Sequence, residues 1–123
     1  MPDRVVDASV LAAFVFKEPQ VEEAAEMMTG KGLFSPSLVF YELTHIAQKK
    51  SLAHPEKRAI FDQALAECLG MDIRLVEPDH KSVLKLALET GLTSYDACYL
   101  YIARILRAPL LTFDERLKTA ARE

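Results

Sequence analysis

The sequence predicts an α/β fold: a three-layer, doubly wound parallel sheet of four strands flanked by helices, in one domain over residues 1–123. Three observations predict it. Short β-prone runs alternate with longer stretches whose apolar residues recur at helical spacing. Capping and turn residues punctuate the changes of period. Strands separated by helices pair in parallel through right-handed crossovers, which puts helices on both faces. The length of 123 residues suits a single domain.

Arg4 to Val6 is the first predicted strand. Asp7-Ala8-Ser9 then opens a helix through Phe16, because Asp and Ser cap orphan N–H groups. Pro19 interrupts it. Gln20 to Met28 is a second helix, with Val21, Ala24, Ala25 and Met28 on one side, stopped by Thr29-Gly30. Leu33 to Ser35 is the second strand. Ser37 to Lys50 is a strong helix on the spacing of Leu38, Val39, Leu43 and Ile46. Pro55 suits the first turn of a helix running to about Leu69, with Gly70 closing it. Ile73 to Val76 is the third strand. Asp79 caps a helix carrying Val83, Leu84, Leu86, Ala87 and Leu88, ended by Gly91. Thr93 or Ser94 opens a helix to Arg107 that is apolar nearly all round and therefore central. Pro109 to Thr112 is the fourth strand, and Asp114 caps a last short helix.

Half the residues are hydrophobic, enough for a core without staples, and the net charge is −3. That charge does not advertise a nucleic-acid binder, which usually shows a basic stripe. Four carboxylates committed to a metal would leave the remainder near neutral, so bulk charge does not exclude a polyanion either. The longest early apolar run, Val10 to Phe16, is far short of the roughly 18 residues a membrane span needs. No small-residue cleavage site follows it, so no signal peptide is expected and a cytoplasmic protein is. Cys68 and Cys98 share no metal-binding spacing and are expected to be buried thiols.

The acids carry the chemistry. Asp7 and Asp114 each follow a strand and precede a helix, so both project at the carboxyl edge of a parallel sheet. In doubly wound sheets, sites form at that edge where the strand order reverses. Singly, each is also an ordinary N-cap. Asp96 lies in the first turn of the central helix, where Thr93 followed by an acid imitates a capping box and the dipole favours a carboxylate. Glu42 is different: it shares a helix face with Val39 and Ile46, and an acid on a buried stripe needs a partner or a metal. His45 or Lys49 could instead pair with it.

Two unit charges about 4 Å apart repel by about 4 kcal/mol at an effective dielectric of 20. Four carboxylates converging on one cleft therefore call for a cation. An all-oxygen set suits Mg²⁺ or Mn²⁺. No Gly-rich phosphate loop, activated Ser or Cys constellation or His pair competes; His45, His54 and His80 are scattered and expected at the surface.

These pieces assemble into a resemblance. Val5-Val6-Asp7-Ala8-Ser9-Val10-Leu11, Tyr41-Glu42-Leu43, Leu92-Thr93-Ser94-Tyr95-Asp96-Ala97 and Leu111-Thr112-Phe113-Asp114 are similar, in order and separation, to PIN domains and in detail to VapC-type toxin ribonucleases. The resemblance implies a metal-dependent ribonuclease acting on single-stranded or loop RNA. It implies that Asp7, Glu42, Asp96 and Asp114 hold the metal, with Ser9 and Thr112 as polar support; beside the resemblance, Ser94 and Tyr95 at the start of the central helix could also serve the site. It implies a homodimer and a small VapB-like antitoxin that blocks the acidic cleft. It also implies a fifth strand at the sheet edge. The residues up to Glu123 end in the last helix, so four strands are expected and a fifth stays open.

Two rivals stand beside this reading. A receiver-type phosphoryl-transfer domain would want a second acid where Ser9 stands and a Lys after a fifth strand. A catalytically silent PIN-like module would bind RNA or antitoxin without cleaving. For substrate contacts, Lys49, Arg104 and Arg107 are candidates, although cations near helix C-termini also complement the dipole.

Overall fold

A computed structural model describes all residues from Met1 to Glu123. In chain order it holds β1 (Asp3–Val6), α1 (Ala8–Val15), α2 (Val21–Met28), β2 (Gly32–Ser35), α3 (Leu38–Ala53), α4 (Arg58–Leu69), β3 (Ile73–Leu75), α5 (His80–Thr90), α6 (Ser94–Leu106), β4 (Leu110–Leu111) and α7 (Glu115–Arg122). Pro55 opens a short 3₁₀ turn, Pro55–Lys57, that leads into α4. The four strands are parallel in the order β3-β2-β1-β4. The sheet has these four strands, and the fifth that the sequence left open is not present.

The order explains the layers. The chain steps from β1 to β2 to β3 in one direction, so right-handed crossovers put α1 to α4 on one face. It then jumps back across β2 and β1 to β4, which puts α5 and α6 on the other. α6 packs on β1 and β4, with α5 and α7 beside it. The reversal lies between β1 and β4, where Val5 pairs with Leu110 and Val6 with Leu111.

Val5 and Val6 are fully buried, as a strand covered on both faces requires. α1 buries Ala8, Val10, Leu11, Ala12, Ala13 and Val15. α6 is central as expected, burying Ala97, Tyr99, Leu100, Ile102 and Ala103, though Arg104 and Ile105 reach solvent in its last turn. Two boundaries differ from the sequence reading. α3 continues past Lys50 to Ala53, because no breaker stands before Pro55. β4 has only two residues: it pairs on one side alone, and Pro109 at its start offers no N–H. Thr112 thus falls beyond the strand, into the loop that builds the site. Both cysteines are free, Cys68 buried and Cys98 partly so. Burial pushes the Cys68 thiol up to about 11. No helix is long and apolar enough to cross a membrane.

Candidate active site

Asp7 is the first residue past β1 and the N-cap of α1. Its Oδ1 accepts the Val10 N–H at 3.2 Å and the Ser9 hydroxyl at 2.6 Å. Its Oδ2 accepts the Thr112 hydroxyl. Thr112 is the matching residue one step past β4, and it is almost wholly buried. Each hydroxyl has a second task. Thr112 Oγ1 accepts the Asp114 N–H at 3.0 Å, and Ser9 Oγ accepts the Phe113 N–H at 3.0 Å. The loop after β4 is thereby tied to Asp7 from both sides. Asp114 caps α7, its Oδ1 accepting the Leu117 N–H at 2.8 Å.

Two helices supply the other acids. Asp96 stands in the first turn of α6, where Thr93 Oγ1 caps its N–H at 3.1 Å. Glu42 comes from α3, on the opposite layer, and its Oε1 accepts the Tyr99 hydroxyl of α6. This bond spans the two helical layers over the carboxyl edge of the sheet. Asp7, Glu42, Asp96 and Asp114 all line one cavity of about 590 Å³.

Electrostatics in the cavity runs against ionisation. Burial raises the Asp7 carboxyl above the ordinary range, with the Ser9 and Thr112 hydroxyls pulling it partly back. Burial also raises Glu42; the Tyr99 bond opposes this, and the charges of Asp96 and Asp7 add to it. Asp96 is raised by burial and then by Asp114, with Arg116 acting in the other direction. Burial foremost, and then Glu42, pushes the Tyr99 phenol far up, so it stays protonated and donates.

The donor set fits a hard divalent cation: all oxygen, partly buried, and mutually repelling until countered. The fit is loose rather than clamped. No three acidic, imidazole or thiol side chains are already gathered as ligands around one point. Asp7 has both oxygens engaged by protein donors. A bound ion would therefore take few direct protein oxygens and fill its shell with water, as Mg²⁺ commonly does.

The remaining sequence candidates are scattered. Ser94 is exposed and lines a smaller pocket of about 330 Å³ beside the cavity, and Tyr41 and Tyr95 border both. Lys49 lies exposed on α3 two turns beyond Glu42 and does not line the cavity. Arg104 and Arg107 lie toward the other end of α6, about 12 and 16 Å along its axis from Asp96 at 1.5 Å per residue. His45 is exposed as expected but lines the cavity, one turn from Glu42. Tyr99 was not foreseen. Its one available signal was its position one turn after Asp96, and its apolar surroundings read as plain core.

Three comparisons bear on this geometry. A family model described as the PIN domain matches residues 4–123. Ribonuclease VapC3 of Pyrobaculum aerophilum is 28% identical over 118 residues, covering 92% of this chain and 90% of that protein. The crystal structure of PAE2754 from Pyrobaculum aerophilum superposes with a TM-score of 0.75 at 28% identity, covering 96% of this chain and 85% of the other.

Proposed function

The chain belongs to the PIN domain family, and on that premise we propose that it is a Mg²⁺- or Mn²⁺-dependent endoribonuclease, the toxin of a VapC-type pair. The observation that carries the reading is the lining of one cavity at the strand-order reversal by Asp7, Glu42, Asp96 and Asp114. The similarity to a protein named a ribonuclease supports RNA as the substrate. The proposed partners are a small VapB-like antitoxin and a second copy of the chain, and the proposed location is the cytoplasm.

In the mechanism, Asp7, Asp96 and Asp114, with Glu42, would hold the ion, and the chemistry it would supply there is polarisation of the scissile phosphodiester for attack by water. Ser9 and Thr112 fix the rotamer of Asp7. The same two hydroxyls fix the backbone that presents Asp114. Tyr41 and Tyr95, 74% and 61% exposed, stand at the rim beside the acids. Hydrolysis leaves a 3′-hydroxyl and a 5′-phosphate.

The test is cleavage of single-stranded RNA by antitoxin-free protein. Cleavage with Mg²⁺ or Mn²⁺, stopped by chelator and by Asp96→Asn, is expected. Protein that binds RNA yet never cleaves it under these conditions would instead be the silent RNA- or antitoxin-binding module.

A further inference from the structure

We infer that the smaller pocket beside the acidic cavity is a nucleobase subsite, which seats a guanine next to the scissile phosphate, stacked at Tyr41 and Tyr95 and read by Glu77. The inference deepens the ribonuclease reading above and rests on it. Each tyrosine adjoins an acid of the cavity in sequence: Tyr41 precedes Glu42 on α3, and Tyr95 precedes Asp96 in the first turn of α6. Both rings are largely exposed, so neither serves the core. With Leu38 they line the acidic cavity and the second pocket alike, and so form the partition between them. A strand whose phosphate lies at the acids therefore has a neighbouring base at the tyrosines. Aromatic side chains are common platforms for unpaired bases, because every base has a π-face.

The rest of the lining selects the occupant. At about 330 Å³ the pocket falls in the range of small-ligand sites. No Lys or Arg lines it, and its one imidazole, His80, already acts on the charge of Glu77. A phosphate would thus meet an acid and find no cation. Hydrogen bonding by Ser37, side chain and backbone, holds the Glu77 carboxyl below the ordinary range, so it stays ionised. The Ser37 N–H donates to Glu77 Oε1 at 3.0 Å, which ties the carboxylate to the start of α3. An ionised carboxylate can only accept. Guanine offers it two adjacent donors, N1–H and the N2 amino group, on the Watson–Crick edge. Every other base sets an acceptor beside its donor, and a carboxylate repels that acceptor. An apolar peptide side chain would fill the pocket and leave Glu77 without a partner.

The experiment maps the cuts that the full chain makes with Mn²⁺ in a single-stranded oligouridylate carrying one guanosine. One bond beside the guanosine should be cut about tenfold faster than the uridine–uridine bonds. Inosine, which lacks the N2 amino group, should lose much of that preference. Glu77→Gln keeps an acceptor for the Ser37 N–H but presents an amide N–H₂ to the base, and should make the cuts uniform. Uniform cuts by the unmodified protein overturn the inference and leave the ribonuclease reading standing; a pocket that takes a peptide side chain instead would give that pattern. A preference that survives Glu77→Gln also overturns it. If neither RNA is cleaved, the ribonuclease reading fails by itself, and fluorescence anisotropy of the labelled strands in chelator decides the base pocket. The guanosine strand should bind about tenfold more tightly than the all-uridine strand, and Tyr95→Leu should remove about tenfold of that affinity through lost stacking. Equal or undetectable binding of the two strands overturns the inference, as does an affinity unchanged by Tyr95→Leu.

Discussion

Asp7 and Asp79 are built alike and end in opposite electrostatic states. Each is the N-cap of a helix that follows a strand. Asp7 accepts the Val10 N–H and the Ser9 hydroxyl; Asp79 accepts the Ser82 N–H at 3.1 Å and the Ser82 hydroxyl at 2.5 Å. Asp79 lies in solvent after the edge strand β3, and its hydrogen bonds from Ser82 hold its carboxyl below the ordinary range. Asp7 lies under α6 beside the central strand, and burial drives its carboxyl up despite one more hydroxyl donor, Thr112. Capping chemistry is thus common to both, and the position of the strand in the sheet decides which one becomes a site. A cap that costs free energy to ionise is one that a cation can reward.

The largest expected effect separates the two directly. Asp7→Asn should lower kcat/KM on RNA by at least about 10²- to 10³-fold, the scale seen when a group that stabilises transition-state charge is removed. Asp79→Asn should leave cleavage within about twofold. Comparable losses in both variants would show that the cap, not the site, matters. A second contrast comes from ion binding. At a concentration 100 times its Kd, Mg²⁺ or Mn²⁺ should stabilise the protein by about 2.7 kcal/mol. That shift, read as a rise in Tm, should vanish in Asp7→Asn and persist in Asp79→Asn.

How much of this was legible in the sequence follows the same division. Parallel pairing could be inferred from alternation alone, because strands separated by helices need crossover connections; the order of the strands could not. Asp7 and Asp114 could be placed at one edge for that reason. Their distinction from Asp79 could not be read locally, since all three have a residue of similar type after a strand and before a helix. It required knowing that β1 is central and β3 peripheral, where Arg74 and Leu75 are exposed. Glu42 was legible because it broke the apolar stripe of α3. Tyr99 was not, because a buried tyrosine in an apolar helix looks like packing until its hydroxyl partner is seen. The cationic candidates failed to gather for a geometric reason: Arg104 and Arg107 sit at the end of α6 that points away from the carboxyl edge.

Thr112 sharpens the comparison, since it is the donor Asp7 has and Asp79 lacks. Thr112→Val removes the hydroxyl that holds Asp7 Oδ2 and accepts the Asp114 N–H. Loss of such an outer contact should weaken Mn²⁺ binding and cleavage by about 10- to 100-fold. Stability should fall by about 1–3 kcal/mol, because the buried Asp7 carboxylate loses a donor and the part-buried Asp114 N–H loses its acceptor. Calorimetry and urea unfolding check the two parts. A variant with weakened cleavage but unchanged ion affinity would place Thr112 outside the metal's support.

The smallest effect is the dependence of stability on pH, and its sign differs between the two caps. Asp7 is raised in the folded protein, so its contribution is fully present below the unfolded value near 4 and is lost as pH rises through the folded value. Removing its charge in the metal-free protein should therefore help at neutral pH and not in acid. Asp7→Asn should melt above the unmodified protein at pH 7, with the difference shrinking toward zero as pH falls to about 4. Asp79 is lowered, so its contribution is present above the unfolded value and is lost as pH falls through the folded value. Asp79→Asn should accordingly melt below the unmodified protein at pH 7 and converge with it in acid. Melting curves of both variants in chelator between pH 3 and pH 7 test the pair. Two difference curves of the same sign would mean that burial under α6 does not separate Asp7 from an ordinary cap, and the electrostatic case for a cation would lose its foundation.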